Sequence, residues 1–156
     1  MAPQLRLEGK VAIVTGGASG FGKGIATKFV QEGAKVLIAD LSATAGQTVS
    51  QELGCAFSVA DVTKRENWER LLKEAVDTFG RLDVVVNNAG AAYENKATEE
   101  VTEDEFDRVF TVNVKSVYLS SSVVVKYFAE KGIQGNFIQI ASTAGSEFTN
   151  EPVVSG

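Results

Sequence analysis

A chain of 156 residues, 44% hydrophobic and 22% charged, has the length and apolar content of one globular domain with a sizeable core, not of a disordered or fibrous chain. Its formal net charge of -5 comes with Lys and Arg scattered along the sequence, so no basic stripe exists to follow a phosphate backbone and no nucleic-acid partner is expected. Histidine is absent, which removes a histidine base, a Ser-His-Asp triad and most zinc sites, and no metal site is expected. Acid-base chemistry is left to Tyr, Lys, Asp and Glu. Cys55 alone cannot form an internal disulfide, and residues 1–7 hold no apolar core long enough for a signal peptide. No run approaches the ~20 apolar residues that span a bilayer, so the chain reads as cytoplasmic, reduced and without a membrane partner.

In chain order, Val11, Ala12, Ile13 and Val14 predict a strand over residues 10–15. A helix over 22–32 follows, with Ile25, Ala26, Phe29 and Val30 on one face and Gly33 as its stop. A strand over 35–40 leads to a weaker helix over 42–53, interrupted by Gly46 and closed by Gly54, and then to a short strand over 56–59. Thr63-Lys64-Arg65-Glu66 has the spacing of a capping box and opens the clearest helix, which carries Trp68, Leu71, Leu72, Ala75, Val76 and Phe79 and ends at Gly80. A strand over 82–87 follows. Thr102-Glu103-Asp104-Glu105 reads as a second capping box, opening a long helical segment through Phe106, Val109, Phe110, Val117 and Val124 to the neighbourhood of Gly132. The last strand covers 136–141. Strands such as Val84-Val85-Val86, apolar on both faces, belong to parallel sheets covered on both sides by helices. No repeat, linker or low-complexity segment divides the chain, so residues 1–156 are read as a single α/β domain. Its architecture is a doubly wound parallel sheet, the Rossmann fold, with about five strands in the order 3-2-1-4-5.

In such a sheet ligands bind beyond the carboxyl ends of the strands at the topological switch point, here between the first and fourth. The stretch Thr15-Gly16-Gly17-Ala18-Ser19-Gly20-Phe21-Gly22 lies there, at the end of the first strand and the start of the next helix. Gly16, Gly20 and Gly22 would let the backbone turn tightly and approach a pyrophosphate, whose charge the exposed amides of the helix stabilise. Ser19 and Phe21, between them, are read as further cofactor contacts. A glycine triplet alone is also just a tight turn. Here the strand before it, the helix after it and Asp40 at the end of the second strand agree on a dinucleotide. Asp40 is placed to accept hydrogen bonds from the adenosine ribose hydroxyls and to repel a 2'-phosphate, while Leu41 and Ser42 supply no cation, so the cofactor expected is NAD, not NADP. The competing reading of Asp40 is a capping or loop aspartate.

Thr15-Gly16-x-x-x-Gly20-x-Gly22, Asp61-Val62 and Asn87-Asn88-Ala89-Gly90 together resemble the short-chain dehydrogenase/reductase family, in register over residues 7–145. The resemblance implies that Asp61 and Val62 contact the adenine. It also implies that the Asn-Asn-Ala-Gly segment steadies the fourth strand and lines the cofactor cleft, with Asn88, Ala89 and Gly90 at the cofactor. Asn113, in Thr111-Val112-Asn113-Val114-Lys115, matches the family's mid-helix Asn, which helps a water hydrogen-bond the catalytic lysine. Ser142, after Phe137-Ile138-Gln139-Ile140-Ala141, matches its substrate-orienting serine, whose hydroxyl polarises the carbonyl that receives hydride. Taken by themselves these residues have plainer readings: a helix cap for Asp61, a polar turn for Asn87 and Asn88, a poor helix former for Asn113 and a turn for Ser142.

The family's proton donor is a tyrosine about a dozen residues past that serine, its pKa lowered by a lysine one helical turn beyond. Here the tyrosine's place falls near Ser155 and the lysine's past Gly156. The expectation is a chain truncated before Tyr-x-x-x-Lys, incomplete at the C-terminal end of its fold, inactive as written, and with residues 146–156 a tail unlike the family. Tyr127-Phe128-Ala129-Glu130-Lys131 spells the pattern, but it precedes Ser142 and ends the helix leading into the fifth strand, which puts it at the opposite edge of the sheet from the cofactor. It is read as a coincidence. The implied function is the NAD-binding domain of an oxidoreductase that moves hydride between the nicotinamide and a small-molecule alcohol or ketone. The competing reading is a non-catalytic dinucleotide-binding module or a partner subunit of a full-length homologue. A methyltransferase also uses a glycine turn and a second-strand acid, but Asn87-Asn88-Ala89-Gly90 tells against it. Uncovered fourth and fifth strands would make the chain a homo-oligomer or bound to a partner.

Overall fold

Short runs of β-branched residues alternate with amphipathic helices, and neither can bury its apolar face alone. In a computed structural model of the chain, which describes residues 5–142, they form one parallel sheet wound on both sides. The strands are β1 (Val11–Thr15), β2 (Lys35–Asp40), β3 (Ala56–Val59), β4 (Val84–Asn87) and β5 (Asn136–Gln139), and the sheet order is β3-β2-β1-β4-β5. The helices are α1 (Gly20–Gln31), α2 (Ala43–Leu53), α3 (Arg65–Phe79), α4 (Glu103–Phe110) and α5 (Ser116–Lys131). Register pairs Thr15 with Ala39, Val14 with Val86, Asp40 with Val59 and Asn87 with Gln139, so the carboxyl ends of the strands share one edge.

Alternation along the strands sorts the core into two layers. Ala12, Val14, Val36, Ile38, Val84 and Val86 pack with Ala26 of α1 and Val49 of α2. On the other face, Val11, Ile13, Leu37 and Val85 pack with Trp68, Leu71 and Ala75 of α3 and Leu119, Val124 and Phe128 of α5. Trp68 is wholly buried, and its indole N–H donates to the Val62 carbonyl at 2.9 Å. Gly46 does more than interrupt α2, because a Cβ there would come within 2.0 Å of the Phe57 ring. The glycine lets the helix lie close on β3.

β4 begins at Val84 and β5 ends at Gln139, each two residues inside the expected bounds, and four further local features differ from the sequence expectation. The first helix begins at Gly20, inside the glycine turn, two residues earlier than its apolar periodicity indicated. Thr63 and Glu66 make no capping box: α3 opens one residue later, with Lys64 at its N-cap position and no side-chain cap, while the Thr63 amide and hydroxyl both donate to Asp61 Oδ1, at 2.9 and 2.6 Å. The second box is formed, with the Glu105 N–H donating to Thr102 Oγ1 and the Thr102 N–H to Glu105 Oε2. The long helical segment is broken by a π-helical turn, Thr111–Lys115, between α4 and α5. A 3-10 turn at Thr98–Glu100 precedes α4.

Among the described residues, exposure at the far side of the sheet is confined to β5 and residues 140–142. β4 is buried throughout, whereas Ile138 and Ile140 are 40% and 43% exposed. No helix of the described residues is long and apolar enough to cross a membrane. The tail at residues 146–156 lies outside the described residues.

Candidate dinucleotide site

Two adjoining clefts open along the carboxyl edge of the sheet. One, of about 570 Å³, runs from the glycine turn past Asp40 to Asp61 and Val62; the other, of about 730 Å³, runs from Ala91 past Asn113 to Ser142. Asn88, Ala89 and Gly90 border both. Gly16, Ser19, Gly20, Phe21, Asp40, Asp61 and Val62 line the first, and Asn113 and Ser142 line the second. Gly22 alone of the residues singled out in the sequence lies beneath the wall, buried.

The three glycines do different things. Gly16 has φ +62°, and a Cβ there would sit 2.9 Å from Asn88 Nδ2. Gly22 packs under the turn, where a Cβ would fall 2.0 Å from the Gly16 carbonyl oxygen. Gly20 has φ +50° and nothing within 4 Å of its Cβ position. It faces the cleft, at the first turn of α1, where unpaired helix amides favour an anion. Phe21 beside it is 81% exposed. Open backbone and helix amides form a cradle that fits a pyrophosphate, and the acid beside it is an acceptor that fits a sugar hydroxyl.

Thr15, whose side chain sequence reasoning passed over, ties the glycine turn to the end of β4. Its hydroxyl donates to the Val86 carbonyl at 3.2 Å and accepts the N–H groups of Asn88 and Ala89, both at 3.0 Å. Asn88 answers from the other side, with Nδ2 donating to the carbonyls of Thr15 at 2.9 Å and Gly16 at 3.3 Å. The signal available in the sequence was a hydroxyl at the last position of a fully apolar strand, where it is buried and must find partners.

Asp40 is a loop aspartate that also borders the cleft. Oδ2 accepts the Ala18 N–H at 3.1 Å and Oδ1 the Ser42 N–H at 3.0 Å, so the carboxylate shapes both neighbouring loops while bordering the cleft. Each oxygen keeps acceptor capacity for a further donor. Asp61 is similarly divided. Burial works to raise its pKa, but the two hydrogen bonds from Thr63 and the nearby Lys64 outweigh it, holding the carboxyl below its ordinary range. It is a turn-former at the cleft wall, and it does not cap α3 through its own side chain.

Asn113 stands in the π-helical turn with both ends of its amide engaged by Ala91, so its side chain ties the loop after β4 to the long helix. Tyr127 lies far from either cleft. Its oxygen accepts the Leu82 N–H at 3.3 Å, just before β4 begins, and Lys131 is exposed at the last turn of α5. Tyr93 and Tyr118 do not line the Ser142 cleft either. Among the described residues no group of His, Cys, Asp and Glu converges as a metal site.

The family model for short chain dehydrogenase matches residues 10–154. The chain is 46% identical over 146 residues to 4-formylbenzenesulfonate dehydrogenase of Comamonas testosteroni, covering 90% of this chain and 58% of that one. It is 40% identical over 144 residues to 3beta-hydroxysteroid dehydrogenase 2 of Eggerthella lenta, covering 89% and 55%. Among solved structures, 3-ketoacyl-(acyl-carrier-protein) reductase from Brucella melitensis complexed with NADH superimposes with a TM-score of 0.85 at 38% identity, covering 88% of this chain and 59% of that one. The chain thus spans little more than half the length of these relatives.

Proposed function

The chain belongs to the short-chain dehydrogenase family, and from that premise we propose that it binds NAD(H) in preference to NADP(H) along the paired clefts. It would serve as the dinucleotide-binding part of an oxidoreductase that moves hydride between nicotinamide and an alcohol or ketone. The observation that carries this reading is the open space in front of Gly20 at the start of α1, on the same cleft as the Asp40 carboxylate. Helix amides and the backbone at Gly16 and Gly20 would hold the pyrophosphate, Asp40 the adenosine ribose, and Asp61 with Val62 the adenine. The bound nicotinamide supplies the hydride chemistry. Ser142 would orient and polarise the substrate carbonyl, and Asn113 would help fix a water on the proton path. With Cys55 a free thiol, a reducing, cytoplasmic setting suits the chain.

Calorimetry with NADH and NADPH tests the cofactor. NADH is expected to bind more tightly, because a 2'-phosphate would meet the Asp40 carboxylate with no cation on Leu41 or Ser42 to offset it. Equal or tighter NADPH binding refutes the assignment, and Asp40→Ala should narrow the preference.

A second reading is a module that holds the dinucleotide without turnover. It needs only the cleft shared by Gly20 and Asp40 and nothing of the Ser142 cleft. NADH binding by the chain with no carbonyl reduction would select it. The exposed Ile138 and Ile140 at the edge strand also suit a second copy or a partner chain, and sedimentation of Ile138→Lys against the unsubstituted chain would measure that association.

A further inference from the structure

We infer that the Ser142 end of the cleft takes a neutral, largely apolar ketone or alcohol, and not one bearing a carboxylate, phosphate or sulfonate; the inference rests on the dehydrogenase reading above. None of the described residues lining this cleft of about 730 Å³ is charged. Its walls are hydrocarbon from three elements: Ala91 and Ala92 after β4, Val114 and Val117 on the long helix, and Ile140 after β5. The cations on the surrounding elements do not form part of the wall. Arg108 donates to the Ala92 carbonyl at 2.9 Å, Lys96 pairs with Glu105 at 2.6 Å, and Arg65 donates to Ser122 Oγ at 2.9 Å. Lys115, in the same turn as Val114, is not among the lining residues.

The polar residues in the wall are less available than their names suggest. Asn88 spends its amide N–H groups on Thr15 and Gly16, Asn113 gives both ends to Ala91, and Asn87 donates to Ser120 Oγ at 3.0 Å while its Oδ1 is buried out of reach. Beyond these, the wall carries two polar side chains, Gln139 and Ser142. An anionic substituent moved from water against such a wall loses hydration and meets no charged side chain among the described lining residues, whereas an apolar skeleton gains by being covered. A polyol would also find few donors and acceptors along the wall.

A matched pair of ligands tests this: 2-acetylnaphthalene and 6-acetyl-2-naphthoate, which share a skeleton and a methyl ketone and differ by one carboxylate. Each is titrated by calorimetry into the chain saturated with NADH, after a separate NADH titration. The neutral ketone is expected to bind at least tenfold more tightly, and Val114→Arg or Ala92→Arg, each checked for unchanged NADH affinity, should bring the carboxylate level with it or ahead. Equal or tighter binding of the carboxylate by the unsubstituted chain overturns the inference. So does failure of the neutral ketone to bind an NADH-loaded chain. Failure of NADH itself to bind strikes instead at the dehydrogenase reading, which keeps the two outcomes apart.

Discussion

The side-chain amide of Asn113 holds both backbone groups of Ala91, accepting its N–H at Oδ1 at 2.8 Å and donating from Nδ2 to its carbonyl at 2.9 Å. This pair of hydrogen bonds joins a π-helical turn, where the helix has left its regular ladder, to the loop that follows β4. Asn113→Ala removes both at once. With a net worth of about 0.5–1.5 kcal/mol for each hydrogen bond, the substitution should cost about 1–3 kcal/mol in urea denaturation. Hydrogen exchange at the Ala91 amide should quicken while amides of α3 and β1 keep their protection. Uniform loss of protection would place the residue in the general core instead.

Gly20 and Gly22 should separate ligand binding from folding. At Gly20 an added Cβ has no protein atom within 4 Å, and the positive φ costs about 1–2 kcal/mol. Gly20→Val should therefore fold but occupy the space the pyrophosphate needs. NADH at about a hundred times its dissociation constant should stabilise the unsubstituted chain by roughly 2.7 kcal/mol and this variant by nothing measurable. Gly22→Ala sets a methyl 2.0 Å from the Gly16 carbonyl oxygen, so it should lower the melting temperature without ligand present. A Gly20→Val chain that still gained stability from NADH would remove the glycine turn from the site.

Much of this architecture was legible because its signals are local. Four apolar residues ending in Thr15 and glycines, and an acid at the end of β2, place the switch point without any knowledge of the third dimension. The parallel order followed from strands apolar on both faces. What stayed illegible depends on competition between partners distant in space or equal in spacing. Thr63 and Thr102 both have a glutamate three residues on, yet only Thr102 caps, because α3 begins a residue later and leaves Thr63 outside its N-cap position, bonded to Asp61. The π-helical turn is invisible in periodicity, since it is pinned by Ala91, 22 residues away from Asn113. Asp40 could not be divided between loop and ligand from the sequence, and the fold gives its two oxygens to the Ala18 and Ser42 N–H groups while leaving it on the cleft.

Glu105 sets the expected pH response of the α4 cap. Lys96 Nζ, 2.6 Å away, and next the Thr102 N–H hold its carboxyl at about 2, against an ordinary 4.5. A carboxyl whose folded pKa is depressed contributes its stabilisation fully above the unfolded value and loses it as pH falls through the folded value. The difference in urea midpoint between the unsubstituted chain and Glu105→Gln should therefore be constant above about pH 4.5 and shrink steadily from there towards pH 2. Both partners are near the surface, so salt should reduce it at neutral pH. A difference that grew on acidification would contradict this sign.

Tyr127 and Lys131 have the spacing of a catalytic pair, and the fold turns them to other work. The Tyr127 oxygen accepts the Leu82 N–H at 3.3 Å before β4 starts, whereas Ser142 lies past the end of β5, across the length of the sheet. The Tyr127 ring packs against the α5 and α3 layer of the core, 6.0 Å from the Phe128 ring. Tyr127→Phe keeps that packing and leaves the Leu82 N–H without its partner, so it should cost about 0.5–1.5 kcal/mol of stability. NADH affinity should not change. Nor should any carbonyl reduction measured with the chain, alone or with a partner subunit, since a group at the wrong end of the sheet cannot reach the hydrogen-bond distance that proton transfer requires. Loss of reduction in Tyr127→Phe, with NADH binding and melting temperature otherwise intact, would bring the tyrosine into the chemistry. It would also require a proton path along the whole of β4.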